Sequence, residues 1–200
     1  MRAQPLTRDV IVAAARRIAD AEGLAALTLR RVAQELDTGQ ASLYRHIADR
    51  RELLALLNDD LARAFPVVRS GPPRERIRRQ WLGAHRVLLD HPWAARVIIE
   101  ASSVTATALP FADSALDALL RAGLRPELAA RTYRAVWQLL LGYVVNDHPL
   151  GHPGFDIDPA EFPALTTARP HLAAADALAE FDWALRQLLD AVLGPDDETV

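Results

Sequence analysis

The sequence predicts an all-α chain with a small N-terminal head and a larger C-terminal helical body. Apolar residues recur at helical spacing from Ile11 to Val192, and no stretch alternates apolar and polar residues as a half-buried strand would. Gly and Pro fall between these periodic segments, at Gly23, Gly39, Pro66, Gly71, Pro92, Gly123 and Pro126, where helices stop and start. Charge is divided unevenly. The 200 residues sum to −3, yet Arg outnumbers acid before Glu52 and acid outnumbers Arg after it. A basic head on an acidic body suits a protein that offers one end to a polyanion.

Composition excludes several classes. With no Cys there is no disulfide framework, no thiolate metal site and no Cys nucleophile. The opening MRAQPLTRDV has no apolar signal core, and no later run reaches the roughly eighteen uncharged apolar residues of a membrane span. A cytoplasmic protein with no membrane partner is the expectation.

Thr7 is an N-cap for a first helix to about Glu22, with Ile11, Ala14, Ala15 and Ile18 as its inner stripe and Gly23 as its stop. Thr28 caps a second helix, in which Leu29, Val32, Ala33 and Leu36 face inward and Arg30, Arg31, Gln34 and Glu35 outward. Asp37-Thr38-Gly39 follows as a sharp turn. Asp and Gly tolerate a left-handed conformation there, and Thr38 can cap a short helix from Gln40 to His46. In that helix Ala41 suits a close crossing and Leu43 and Ile47 turn inward. Gln40, Ser42, Tyr44, Arg45 and His46 are left to meet a partner through phosphates and base edges. Two helices joined this way read as a DNA-binding helix-turn-helix, so double-stranded operator DNA is the expected partner.

Asp49 and Glu52 have the spacing of a capping box that opens a fourth helix through Leu53, Leu54, Leu57, Leu61 and Ala64 to Pro66. Gly71-Pro72-Pro73 is the clearest linker. The body helices are then Arg74–Asp90, a short one after His91-Pro92, Leu109–Arg121, Pro126–Asp147 and about His171–Leu193. The fourth of these has a wide apolar face formed by Ala130, Tyr133, Trp137, Leu140, Leu141 and Val144. Residues 1–48 thus form the head, 49–65 a connecting helix, and 72–200 a larger helical body. Between His148 and Pro170, Pro and Gly allow no more than a short helical turn.

Leu43, Tyr44, His46, Ile47, Arg50, Leu53 and Leu54 stand at the spacing that marks TetR-type transcriptional regulators, and the chain resembles that family, its tetracycline-repressor branch most. Asp37 stands where that family usually has Gly, and Thr38 where it has a buried Val. The resemblance implies a homodimeric repressor that binds a palindromic operator and is released by a small-molecule effector. Arg30 and Gln40 fall at its base-contacting positions; Thr28, Tyr44, His46 and Arg50 are expected at phosphates, with Ser42 and Arg45 beside them, and Arg2 and Arg8 lie near enough to touch phosphate. The dimer helices correspond to Pro126–Asp147 and His171–Leu193, with Leu185 and Leu189 among their apolar positions.

For the effector, the resemblance implies a site near Trp81, His85, Ile98, Phe111, Tyr133, Trp137 and Leu141. Read from the residues alone, His85 is a hydrogen-bonded interior histidine or a ligand contact, and Trp81, Tyr133 and Trp137 are core or pocket wall. Ile98 aligns with the histidine that holds the drug's magnesium in tetracycline repressors, and Ala84 with an aromatic stacking position. A largely hydrophobic effector bound without metal or cofactor is therefore expected. Two other readings remain open. His148, His152, Asp156 and Asp158 could form an acid-base or metal cluster of an enzyme, although Pro149, Gly151 and Pro153 keep the histidines off one helical face. A constitutive DNA-binding protein would respond to no effector.

Overall fold

The structure is a computed structural model that describes residues 5–100, 105–145, 157–172 and 176–195. Among the described residues every regular element is helical, and none of the helices is long and apolar enough to cross a membrane. The chain divides into two compact units, Met1–Val68 with Arg86–Ser114, and Arg69–His85 with Ala115–Val200. Residues 86–114, which lie within the sequence-predicted body, thus cluster with the head.

In the first unit, α1 (Arg8–Glu22) begins where Thr7 Oγ1 accepts from the Val10 N–H at 3.3 Å and ends at Gly23, whose φ of 78° few other residues tolerate. Its expected stripe of Ile11, Ala14, Ala15 and Ile18 is fully buried. A 3₁₀ turn (Leu24–Ala26) leads to α2 (Leu29–Glu35), capped by Thr28 Oγ1 on the Arg31 N–H at 3.1 Å. The turn after α2 places Asp37 at φ 47°, and the Thr38 N–H reaches back to the Ala33 carbonyl at 3.0 Å. That closure is a Schellman motif with Asp in the glycine position.

Three local expectations are corrected here. The backbone N–H of Thr38 closes the end of α2, and the N-cap of α3 (Gln40–Leu43) is Gly39, one residue later than expected, with no side-chain bond. Regular helix also stops at Leu43, and the segment continues to His46 as a turn in which both the His46 and Ile47 N–H groups bond the Leu43 carbonyl. Ala41 is exposed; Leu43 and Ile47, at 0% and 1% exposure, are what anchor the segment.

The expected cap forms, with Glu52 reaching back one residue further than a capping box does. Asp49 accepts from the Glu52 N–H at 2.8 Å, and Glu52 accepts from the Ala48 N–H at 2.6 Å, opening α4 (Arg50–Ala64). Leu53, Leu57, Leu61 and Ala62 are buried, while Ala64, which shares the angular position of the stripe, is the last residue of the helix and is exposed. Phe65 is extended, as a residue before proline must be. Within this unit α1 packs on α2 and α4, α2 on α3, and α4 on α6 (Ala94–Glu100).

The second unit holds α5 (Pro73–Asp90) as far as His85, α7 (Leu109–Arg121) from Ala115, α8 (Pro126–Val145), α9 (Pro163–Ala168) and α10 (Ala177–Leu193). Here α10 packs on α8, and arginines of α5 tie it to its neighbours. Arg78 grips Asp182 with two bonds of 2.6 and 2.8 Å, Arg76 meets Asp117 at 2.9 Å, and Arg74 bonds Asp190 and the Gly194 carbonyl.

The buried stripe of α8 is Ala129, Thr132, Val136 and Leu140; Tyr133, Trp137, Leu141 and Val144 flank it half-buried, and Ala130, expected inward, is exposed. The last helix starts at Ala177 rather than His171, because Asp176 accepts from the Leu178 and Ala179 N–H groups and Arg169–His171 forms its own 3₁₀ turn after α9. Leu185 and Leu189, assigned to a dimer face, are 0% and 1% exposed within the single chain. They belong to the protomer core.

Candidate nucleic-acid interface and effector site

The side chains left outside by this packing define the first candidate site. Arg30 on α2, and Gln40, Tyr44 and Arg45 on and just after α3, are all exposed, Tyr44 at 53%. Ser42 and His46 are half-buried beside them. Gln40 Nε2 lies 3.5 Å from the Tyr44 hydroxyl, one helical turn on, so these two groups share one edge. Exposed donors and acceptors of this kind can address both phosphate oxygens and base edges of a duplex.

The neighbouring charges are committed elsewhere. Arg31 bonds Glu22 at 2.6 Å and Glu35 at 3.1 Å, and the hydrogen bond to Glu22 raises its pKa above the ordinary guanidinium value. Thr28 is occupied as the cap of α2. Arg50 Nε donates to the Leu27 carbonyl at 3.1 Å and its Nη2 to the Leu24 carbonyl at 3.3 Å. Arg8 donates to the His46 carbonyl at 3.0 Å and to Glu52 at 2.9 Å, and Arg2 lies outside the described residues. Sequence spacing assigned Arg50 to phosphate and held no sign of these carbonyl partners, which come from a turn 23 to 26 residues upstream.

The expected effector residues fall in both units. Trp81 is fully buried in the second, its ring centroid 5.6 Å from Tyr133 and 5.7 Å from Trp137, in tilted and edge-on contacts. His85, one turn along α5, is also fully buried and stacks on Phe181 of α10 at 4.7 Å and 5°, while Tyr143 meets the other side of this set edge-on at 6.0 Å. Neither ring nitrogen of His85 has a hydrogen-bond partner among the described residues, so it is not the hydrogen-bonded interior histidine that statistics favour. Burial pushes its pKa below the ordinary imidazole value and keeps the ring neutral, against a smaller opposing effect of Asp176. Burial likewise raises the Tyr133 phenol.

Phe181 and Tyr143 were not singled out for this site; their only sequence signal was membership of apolar helix faces. Leu141 is half-buried on α8. Ile98 and Phe111 belong to the first unit, Ile98 half-buried and Phe111 against Phe65 at 5.4 Å. Ile98 is a hydrocarbon with no lone pair, so the chemistry at that position does not fit a magnesium ion.

A cleft of about 680 Å³ between α1 and α4 is a different kind of space. Its charged walls are paired with each other, Arg16 with Asp60 at 3.2 Å and Arg63 with Asp59 at 2.6 Å. Of the proposed enzymatic cluster, His148, His152 and Asp156 lie outside the described residues, and Asp158 accepts from the Ala160 N–H in a local turn.

Comparison with known proteins bears on the helical head first. Residues 11–57 match the pattern of "Bacterial regulatory proteins, tetR family". The chain is 37% identical over 148 residues to the HTH-type transcriptional repressor DrrR1 of Streptomyces coeruleorubidus, an alignment covering 70% of this chain and 52% of that protein. It thus spans about half of that relative's length. It is 30% identical over 147 residues to the class E tetracycline repressor protein of Escherichia coli, covering 71% of this chain and 69% of the relative. In three dimensions it is similar to Streptomyces coelicolor ActR in complex with actinorhodin, with a TM-score of 0.82 at 27% identity over 98% of this chain and 99% of the other. With this helix-turn-helix, this exposed edge and these relatives, the chain belongs to the tetR family of bacterial regulatory proteins.

Proposed function

We propose that this protein is a ligand-responsive transcriptional repressor that binds a near-palindromic operator as a homodimer and is released by a small, largely hydrophobic effector. The observation that carries this reading is the exposure of Arg30, Gln40, Tyr44 and Arg45 on a helix-turn-helix whose Leu29, Val32, Ala33, Leu43 and Ile47 are buried. In this reading the Gln40–His46 segment enters the major groove, Gln40 pairs with adenine and Arg30 with guanine, and Thr28, Ser42, Tyr44, Arg45 and His46 serve phosphates. The working compartment is the cytoplasm, where the DNA is, and the protein performs no catalysis.

Two copies match a two-fold operator. The dimer face is assigned to the outward sides of α8 and α10, where Ala135, Gly142 and Val145 leave room for close approach and Trp183 is 55% exposed.

The effector is assigned to the aromatic region around Trp81, His85, Tyr133, Trp137 and Leu141. Its walls are apolar, with one neutral imidazole offering a donor and an acceptor, the usual make-up of a small-molecule site. ActR, a relative in fold, is known with actinorhodin bound, which favours an aromatic ligand here. Release requires that the effector bind the DNA-free form more tightly than the DNA-bound form. The test is tryptophan fluorescence titrated with actinorhodin and with tetracycline, each with magnesium and with chelator. Metal-independent quenching by the aromatic compound is expected; tight tetracycline binding that disappears with chelator would overturn the effector assignment.

A further inference from the structure

Arg8, the first residue of α1, and Arg50, the first of α4, are exposed cations on the helical head, where a cation is ordinarily assigned to phosphate, yet both guanidiniums are turned onto backbone carbonyls. Arg50 sends two donors into the turn before α2, to Leu24 and Leu27, and Leu27 is itself fully buried. Those carbonyls precede Thr28, the cap from which α2 and Arg30 start. At the other end of the motif, Arg8 donates to the His46 carbonyl and to Glu52, and the same Glu52 accepts from the Ala48 N–H. The residues on both sides of the Ile47 anchor are therefore held. Arginine suits this task because its planar fork can address two fixed acceptors at once, which an ammonium cannot do with the same geometry.

We propose that Arg50 and Arg8 are positioning residues that clamp the entry and the exit of the helix-turn-helix, setting the register of Arg30 and Gln40 on DNA, and are not phosphate contacts. The proposal rests on the DNA-binding reading above.

The experiment compares wild type, Arg50→Lys, Arg50→Gln and Arg8→Gln in two arms. In the first, hydrogen exchange is followed on the DNA-free proteins. Both Arg50 variants should speed exchange in 24–31, and Arg8→Gln in 43–48, with 126–145 unchanged. Unchanged exchange at the clamped segments overturns the proposal. In the second arm the probes are a duplex selected in vitro by wild type from a random library and a scrambled duplex, each titrated with salt.

For positioning, Arg50→Lys and Arg50→Gln should both weaken the selected duplex by about ten-fold, the effect of losing one charge-assisted bond. The scrambled duplex and the salt slope should not change. A phosphate contact behaves oppositely: Arg50→Lys retains affinity, whereas Arg50→Gln weakens both duplexes and flattens the log–log slope by about 0.9 per protomer. That outcome, or faster exchange with unchanged affinity for the selected duplex, overturns the proposal. Failure of wild type to enrich any duplex sinks the DNA-binding reading itself, and is distinguishable because the exchange arm contains no DNA.

Discussion

The indole N–H of Trp93 donates to Asp20 Oδ1 at 2.6 Å, and His91 Nδ1 lies 2.7 Å from the same oxygen. One carboxylate on the last turn of α1 thereby holds the corner between α5 and α6. Trp93→Phe keeps the buried ring but removes the donor, and Asp20, partly exposed, regains water. A loss of about 1 kcal/mol in urea unfolding is expected. Trp93→Ala also opens a cavity and should cost about 3–5 kcal/mol. Equal midpoints for wild type and Trp93→Phe would show that the bond adds nothing.

Asp37 adopts φ 47° in the turn that ends α2. A side chain is strained there and glycine is not, so Asp37→Gly should raise stability by about 0.5–1 kcal/mol while Asp37→Ala lowers it. The order Gly, Asp, Ala in thermal midpoint checks this, and an Ala variant as stable as Gly contradicts it.

His85 gives a signed pH dependence. Its folded pKa is depressed by burial, so below the ordinary imidazole pKa the unfolded chain takes up a proton that the folded chain refuses. This group therefore adds no penalty well above that pH and destabilises the fold increasingly as pH falls through it, until the lowered folded pKa is reached. His85→Gln should remove this component. Urea midpoints at pH 8 and pH 5 are the measurement; an undiminished difference in the variant would place the effect elsewhere.

Burial separates assembly from folding on α10. Trp183→Glu places charge on an exposed position and should yield folded monomers by sedimentation with weakened operator binding. Leu185→Glu forces a carboxylate into the protomer core and should cost several kcal/mol of stability, unfolding the chain. Folded monomers from Leu185→Glu and intact dimers from Trp183→Glu would reverse this assignment.

Most of the fold was legible because its causes are local. The caps at Thr7, Thr28 and Asp49 and the stop at Gly23 can be read from residue type and spacing, and each forms. The head's buried stripe followed from period alone. What was not legible depends on which neighbour is present. Ala130 and Ala41 have the right period and face out, since alanine carries too little apolar surface to decide a helix rotation. Leu185 and Leu189 looked like interface because a wide apolar face does not say whether its partner is the same chain or another. Gln40 and Tyr44 were singled out from spacing and are exposed, but the carbonyl partners of Arg50 required the turn at Leu24–Leu27 to be folded against it.

The central claim is that the Gln40–His46 segment with Arg30 reads bases, and a base-substitution series on a duplex selected in vitro tests it most directly. Operator affinity is measured by fluorescence anisotropy across salt concentrations for wild type, Gln40→Ala, Arg30→Ala and Tyr44→Phe. Gln40→Ala and Arg30→Ala should each lose discrimination at one symmetric pair of positions, by roughly 1–3 kcal/mol. Tyr44→Phe should weaken every sequence alike. Equal losses on all sequences from all three variants would contradict the account.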